Sequence, residues 1–126
     1  MTSYLDCLYR YVDIHGMPPK PTELIQGTLD LLILKTVAQG PLHGYGIAQK
    51  ILVMSKEILQ VQQGSLYPAL HRLERKGFVK SEWKPSGNGP MAKLYSLTPA
   101  GRKQLQEEKR QWQRYTGAID MILGED

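Results

Sequence analysis

Residues 63–84 read QGSLYPALHRLERKGFVKSEWK, and this stretch decides the fold. Its first half repeats apolar residues at spacings of three and four, which predicts a helix with one buried face. The predicted inward side chains are Leu66, Ala69, Leu70 and Leu73. We expect Ser65 to cap this helix, Pro68 to fall at its third position, and Gly77 to end it. Beyond Gly77, apolar and polar residues alternate as far as Lys84, which predicts a strand with one exposed face.

The downstream segments predict the rest of a β-hairpin and then a long helix. Residues 85–90 (PSGNGP) are rich in turn formers, and residues 93–98 return as a second strand. Thr98 precedes Pro99, which is the pattern of an N-cap followed by proline at the first helical position. The helix that begins there is predicted to run to about Leu123.

Upstream, the sequence predicts two helices and a short strand. The first helix begins near Thr22 and is apolar almost all round, so we expect it in the middle of a bundle. The second begins around residues 43–45 and runs to about Ser55. Gly44 in its first turn would let a neighbouring backbone come close. Residues 58–62 are predicted to form a small strand.

These elements, in this order, predict a mainly α fold with a small β wing, which is the winged helix-turn-helix arrangement. In that arrangement the third helix, residues 64–76, enters a DNA groove. The charge points to the same segment. The 126 residues hold 16 Lys+Arg against 12 Asp+Glu, a net charge of +4, yet residues 1–60 are neutral and residues 71–103 carry +6. This concentration is typical of a surface for a polyanion, although an ordinary solvated surface also fits.

The sequence favours neither catalysis nor a membrane location. The longest apolar run, residues 31–34, is far too short to span a bilayer, and the N-terminus lacks a signal-peptide pattern. Cys7 is the single cysteine, and His15, His43 and His71 lie 28 residues apart, unlike the ligands of a zinc site. We therefore expect a cytoplasmic protein with no catalytic site, cofactor or metal.

Three motifs resemble the PadR family of bacterial transcriptional regulators. They are LHGYGI at residues 42–47, QGSLYPALHRLE at 63–74 and YSLTPAGR at 95–102, and the similarity covers the chain from 22 to 123. The opening ELIQGTLDLLIL at residues 23–34 is similar to a subgroup typical of acidobacterial regulators. The resemblance implies a homodimer that binds DNA with one winged helix per subunit, and a C-terminal helix that completes the dimer.

The resemblance also implies a sequence-specific repressor that is released from DNA by a small molecule or another signal; we expect its operator to be an inverted repeat. It divides the chain into an extension with a proline-rich connector (1–21), a DNA-binding domain (22–97) and a dimerisation helix (98–126). The wing departs from the family. Many relatives carry several arginines there, whereas SGNGPMAK leaves Lys84 and Lys93 as the cations of this wing.

The first sixteen residues carry a weaker pattern. Leu5, Leu8 and Val12 are spaced as on an amphipathic helix, and Gly16 with the prolines that follow ends it. Relatives commonly begin near Met17. The segment is therefore interpreted either as a real extra helix or as the product of an upstream start codon.

The predicted DNA surface is the outward face of the third helix together with the wing. Its residues are Ser65, Tyr67, Pro68, His71, Arg72, Arg75, Lys76, Lys84 and Lys93. We expect Tyr67 to donate to a phosphate, and His71 and Arg72 to reach base edges. The other cations are expected to contact phosphates. The alternative is a solvated helix face on which Tyr67 only packs.

The long C-terminal helix carries two seven-residue repeats that predict a dimer seam. The seam residues are Leu105, Trp112, Tyr115, Ile119 and Ile122. An aromatic residue at this spacing is typical of packing, so Trp112 is interpreted in that way, with ligand stacking as the alternative.

A second function stays open at this point, a winged helix that binds other proteins and has no affinity for DNA. An interaction module of that kind would present an apolar patch. The polar and basic residues predicted on the outward face of the third helix favour DNA instead.

Overall fold

The computed structural model describes residues 21–124, with side chains from residue 27 onward. The predicted N-terminal helix, Cys7 and the connector up to residue 20 therefore lie outside the described residues. Within them the chain forms four helices and a three-stranded antiparallel sheet. In chain order the elements are α1 (Pro21–Ala38), β1 (Leu42–His43), α2 (Gly44–Met54), α3 (Gln63–Arg75), β2 (Val79–Pro85), β3 (Met91–Leu97) and α4 (Pro99–Leu123). The predicted mainly α fold with a small β wing is confirmed.

Helix α1 lies at the centre of the packing, as its all-round apolar sequence predicts. It contacts α2, α3, α4 and β3. Ile33 and Leu34 are fully buried, and Thr36, at 3% exposure, is the one buried polar side chain among the described residues. The Thr36 hydroxyl donates to the carbonyl oxygen of Ile33 at 2.9 Å. This bond supplies the partner that a buried polar group needs in an apolar core.

Helix α3 buries the predicted inward face but begins earlier than predicted. Its buried side chains are Leu66, Ala69, Leu70 and Leu73. The helix starts at Gln63, because the backbone N–H groups of Ser65 and Leu66 already donate to the Gln62 carbonyl. Ser65 is therefore a first-turn residue and the prediction of a Ser65 cap is wrong. Pro68 lies inside the helix, where it removes one backbone hydrogen bond, the one to exposed Gly64.

The wing is the hairpin of β2 and β3. Trp83 lies opposite Lys93, and Pro85 opposite Met91, at the outer end of the hairpin. On its other side β3 pairs with β1, where Leu42 lies opposite Tyr95. The sheet order is therefore β1-β3-β2, with β3 in the middle.

The predicted strand at residues 58–62 is wrong. The segment is a loop without regular structure, in which Ile58 is 79% exposed. Helix α2 ends in a tight turn in which Lys56 and Glu57 have φ values of 54° and 66°, and the Glu57 N–H donates to the Leu52 carbonyl at 2.8 Å. Because β3 has β1 on one side and β2 on the other, its edges are already occupied.

Thr98 joins the end of α3 to the start of α4 and caps α4 as predicted. Its Oγ1 accepts a hydrogen bond from the Gly101 N–H at 2.9 Å and donates to the Gly77 carbonyl at 2.6 Å. Gly77 has a φ of +80°, the left-handed conformation that ends a helix. A Cβ on Gly101 would overlap the carbonyl oxygen of Phe78. The first turn of α4 therefore requires glycine at this position.

Candidate nucleic-acid interface

Helix α3 presents a polar and basic outward face. The exposed side chains of the helix are Gln63, Tyr67, Pro68, His71 and Arg75, followed by exposed Lys76 at its C-cap, and Ser65 is half-buried. Glu74, the one acid of the helix, accepts a hydrogen bond from the Ser81 hydroxyl of β2 at 2.6 Å. Tyr67 is the single large hydrophobic side chain exposed on this helix. The outward face is therefore positively charged and carries no apolar patch.

Tyr67 is held in place by the first residue of α2. A Cβ on Gly44 would lie 2.8 Å from Cε1 and 3.0 Å from the hydroxyl oxygen of Tyr67. Glycine at this position makes room for the Tyr67 side chain. The sequence had led us to expect that Gly44 would make room for the backbone of a neighbouring element. This packing orders Tyr67 before any partner binds, which reduces the entropy lost on binding.

Arg72 is placed differently from the sequence-based expectation. Its guanidinium turns toward α1, where Nη2 donates to Asp30 Oδ1 at 2.6 Å, and its side chain is only 23% exposed. A short, charge-assisted bond between half-buried groups is stronger than an ion pair in open solvent. Arg72 therefore ties α3 to α1 in this structure, and this pair must open before its guanidinium can reach a base edge.

The two predicted wing cations lie on opposite faces of the hairpin, because neighbouring positions of a strand alternate in direction. Lys84 lies in solvent beside Glu82, with Nζ 3.6 Å from Oε1. Lys93 lies toward α3, with Nζ 3.8 Å from Glu74 Oε1 and 5.9 Å from the centroid of the Trp83 ring. Both ion pairs are partly exposed and weak, so both ammonium groups can exchange their partners for phosphates.

A groove of about 900 Å³ separates the wing from the start of α2. The side chains that characterise this wing groove are Tyr45, Tyr67, Trp83, Lys93 and Tyr95. Tyr95 is only 5% exposed, and its hydroxyl makes no hydrogen bond to any of residues 27–124 although it is not one of their buried unpartnered atoms. His43 Nδ1 lies 3.1 Å from the carbonyl oxygen of Lys93, which links the start of α2 to the wing.

Two carboxyl groups with raised pKa values lie where α1 meets α4. Burial raises the pKa of Asp30, and the opposing charge of Arg72 does not cancel this effect. Burial likewise raises the pKa of Glu108, and the charge of Asp30 raises it further. The hydrogen bond that Gln104 donates to Glu108 at 3.2 Å lowers this pKa but does not cancel the effect of burial. The Oε2 atom of Glu108 is buried without a partner among the described residues. Ionised Glu108 therefore destabilises the fold.

Glu108→Gln is expected to raise the free energy of unfolding at pH 7 by a few tenths of a kcal/mol, a figure that allows for solvent screening. A raised pKa means that the folded state disfavours the charged form. The penalty is therefore complete above the folded-state pKa and absent below the ordinary value of 4.5. Chemical unfolding at pH 7 and pH 4 should show the gain at pH 7 and its loss at pH 4.

Glu107→Gln is the control for this variant, because the Glu107 side chain is exposed and accepts a hydrogen bond from Arg110 at 2.7 Å. It is expected to give no gain at either pH. A gain in Glu108→Gln that persists at pH 4 would contradict the explanation by charge.

The outer half of α4 exposes a row of large apolar side chains. They are Trp112, Tyr115, Ile119, Met121, Ile122 and Leu123. The Trp112 and Tyr115 rings lie 6.2 Å apart, beside Leu31 of α1. Leu105 is different, because it is 5% exposed and belongs to the core of its own chain. The prediction that Leu105 lies in a dimer seam is therefore corrected, since the first turns of α4 pack on α1.

Three residues that shape the candidate DNA surface around α3 and the wing were not identified as part of it from the sequence. Asp30 gives no local signal, because its partner lies 42 residues away. The strand alternation placed Trp83 on the inner face, but the hairpin extends beyond the helices and leaves this indole largely exposed. Tyr95, like Trp112, was interpreted from the sequence as a packing residue, with ligand stacking as the alternative. Its position beside the wing groove follows from the pairing of β1 with β3.

The described residues contain neither a metal-binding cluster nor a membrane-spanning helix. Within residues 21–124, no three His, Cys, Asp or Glu side chains are grouped so that they could hold a metal ion. Among the helices of the same part of the chain, none combines the length and the apolar character needed to cross a membrane.

Comparison with known proteins gives one consistent result. The model of the transcriptional regulator PadR-like family matches residues 33–107. The transcriptional regulator Rv3488 of Mycobacterium tuberculosis is 36% identical over 88 residues, which cover 70% of this chain and 78% of that protein.

Solved structures are similar over most of their length. A transcriptional regulator from Clostridium thermocellum has a TM-score of 0.72 at 27% identity and covers 79% of this chain and 96% of its own. A PadR-like transcriptional regulator from Bacillus cereus has a TM-score of 0.69 at 28% identity, with coverages of 82% and 99%. A PadR family transcriptional regulator from Eggerthella lenta has a TM-score of 0.70 at 28% identity, with coverages of 94% and 99%.

Proposed function

The chain belongs to the PadR-like family of transcriptional regulators, and from that premise we propose that it is a sequence-specific DNA-binding repressor. It binds an inverted-repeat operator as a homodimer and leaves the DNA when a small molecule or another signal binds. The outward face of α3 carries the proposal, because it is exposed, basic and, apart from Tyr67, free of large apolar side chains. A surface for protein partners would present an apolar patch instead.

Helix α3 of each protomer enters the major groove in this proposal. The two half-sites are centred about 34–36 Å apart, or a multiple of that distance. His71 reaches base edges, Tyr67 donates to a phosphate, and Pro68 adds a rigid apolar contact. Arg75 and Lys76 follow the phosphate backbone. Arg72 supports the helix through Asp30, and it contacts a base only where DNA competes successfully with that carboxylate.

The rest of the chain fits the same proposal. Residues 22–97 are assigned to DNA binding, and residues 98–126 to dimerisation through the apolar side chains that α4 exposes. The opening at residues 23–34 supports an acidobacterial-type subgroup. A regulator of this kind acts in the cytoplasm.

Selection of binding sites from a pool of random duplexes tests the proposal. We expect the wild-type protein to enrich an inverted repeat, and His71→Ala to lose preference at one position of each half-site. A lost base contact lowers discrimination by about 1–3 kcal/mol. A reporter gene downstream of the selected repeat should then be expressed less when the protein is present. A pool that yields no repeat would support the protein-binding alternative.

Arg75→Ala is expected to weaken binding to all duplexes by the same factor and to flatten its salt dependence. Each lost phosphate contact lowers the slope of log K against log salt by about 0.9, so a dimer loses about 2. Arg114→Ala, at an exposed position of α4, is the matched control and should keep the wild-type slope. Anisotropy titrations between 50 and 200 mM salt measure both. Equal slopes for the two variants would contradict the assignment of Arg75.

A further inference from the structure

We propose that the wing groove holds one phosphate of the DNA backbone, bound by the start of α2, the hydroxyls of Tyr67 and Tyr95, and the ammonium of Lys93. This inference rests on the proposed function. It names the chemical group that the groove receives and adds Tyr95 and the start of α2 to the DNA contacts.

The first donors are the backbone N–H groups at the start of α2. The first N–H groups of a helix have no partner inside the helix. Here the His43 side chain in the capping position faces the Lys93 carbonyl and makes no hydrogen bond to the N–H groups of the helix, and the first turn contains no acid. Gly44, Tyr45 and Gly46, which carry these groups, line the wing groove. Unpaired N–H groups and the helix dipole together favour an anion.

Tyr95 provides an independent observation that points to a ligand. The Tyr95 side chain is almost completely buried and lines the wing groove. Its hydroxyl bonds to none of the side chains or backbone groups of residues 27–124 and is not among their buried unpartnered atoms, so it is accessible from the groove and can donate to a ligand there. Burial raises the pKa of Tyr95, and the charge of Glu74 adds to this effect, so the hydroxyl keeps its proton and remains a donor.

Tyr67 and Lys93 complete the set of donors. The Tyr67 hydroxyl oxygen lies against Gly44, at the start of α2. Lys93 is held between Glu74 and Trp83 at the edge of the same groove. Among the described residues that line the groove, none is acidic. Glu74 lies behind the lining and shares its charge between Ser81 and Lys93, so a phosphate competes with it for one ammonium only.

Binding of the full chain to two duplexes, the selected operator and a random sequence, tests this site. Tyr95→Phe keeps the ring and removes the donor. Because a hydrogen bond to a charged group contributes about 1.5–3 kcal/mol, we expect at least about a 10-fold loss of affinity. The loss should be equal for both duplexes, since backbone contacts carry no sequence information. Thr36→Val, which removes a buried hydroxyl from α1, is the control and should bind as wild type.

Gly44→Ala is a second variant, which keeps the Tyr95 hydroxyl and displaces the Tyr67 ring. It should weaken binding to both duplexes in the same way. Single methylphosphonate substitutions in the operator then locate the phosphate. Substitutions at several contacted phosphates should weaken the wild-type protein, but at one position per half-site Tyr95→Phe should lose no further affinity.

The outcomes separate this inference from the proposed function. If the wild-type protein binds neither duplex, the proposed function fails and the phosphate site on DNA fails with it. If Arg75→Ala weakens binding but Tyr95→Phe and Gly44→Ala do not, only the phosphate site is overturned.

Inorganic phosphate titrated at constant ionic strength distinguishes the source of the phosphate. NMR would detect changes in the amide chemical shifts of Gly44, Tyr45 and Gly46. If these changes appear with 1 mM phosphate and not with duplex, the groove binds a free phosphorylated ligand and the DNA assignment is overturned.

Discussion

Gly101→Ala is expected to lower the free energy of unfolding by about 3 kcal/mol, the upper end of the usual cost of overpacking. The added Cβ would overlap the Phe78 carbonyl oxygen and would lie 2.8 Å from Cδ1 of Leu97. The backbone cannot yield easily, because the same carbonyl accepts a hydrogen bond from the Thr98 N–H at 3.1 Å. Thr98 in turn caps α4 through the Gly101 N–H. The substitution therefore disturbs the cap, the wing and the start of α4 together.

Gly117→Ala is the matched control on the same helix. A Cβ at Gly117 meets no atom within 4 Å. Alanine there should stabilise the helix by about 0.5–1 kcal/mol, because glycine loses more conformational entropy on folding. Urea unfolding of both variants measures the difference. Equal stability of the two would show that the first turn of α4 can shift away from Phe78 at little cost.

The sequence predicted helices and their ends well where the residues that determine them are neighbours in the chain. The apolar spacing identified the buried face of α3, and the Thr98-Pro99 pair identified the start of α4. Gly77 was expected to end α3, and its positive φ agrees. In each case neighbouring residues determine the backbone geometry, so one stretch of sequence is sufficient.

Features that depend on distant residues were missed. Nothing near Arg72 indicates that Asp30 will accept its hydrogen bond, and nothing near Gly101 indicates the Phe78 carbonyl. Leu105 fits the seven-residue repeat as well as Ile119 does, yet it is buried in its own chain. Periodicity shows which residues share a face of a helix, and it does not show which partner covers that face.

The sequence predicted the exposure of the outward face of α3 better than the orientation of its individual side chains, and its role in DNA binding stays a prediction. The outward face of α3 is exposed as expected. The sequence does not reveal that one of its two arginines turns inward, because that depends on whether a carboxylate from α1 lies within reach. It also does not reveal the wing groove, which exists only once β1 pairs with β3 and brings α2 against the wing.

The double variant Ile119→Asp, Ile122→Asp is expected to raise the dimer dissociation constant by about 10⁴-fold. Both side chains are exposed in the single chain, and Ile122 is 85% exposed, so the fold should remain intact. Burying one isoleucine contributes about 1.5–3 kcal/mol, and a symmetric seam contains both residues from each protomer. Because Ile119 is only 36% exposed, it has less surface left to bury than Ile122, and the loss is therefore about 4–7 kcal/mol before the cost of burying carboxylates is added. Affinity for the full operator should fall toward that for one half-site.

Gln106→Asp, Gln113→Asp is the control for this variant. It places two carboxylates seven residues apart on α4, at exposed positions outside the predicted seam. Sedimentation velocity across a range of concentrations should give monomers for the isoleucine variant and wild-type dimers for the control. The seven-residue repeat that predicted the seam also included Leu105, which packs in the core of its own chain. The sedimentation experiment therefore decides whether the other residues of the repeat join two protomers. Dimers that persist with both aspartates in place would mean that another surface joins the protomers and that the apolar face of α4 has a different partner.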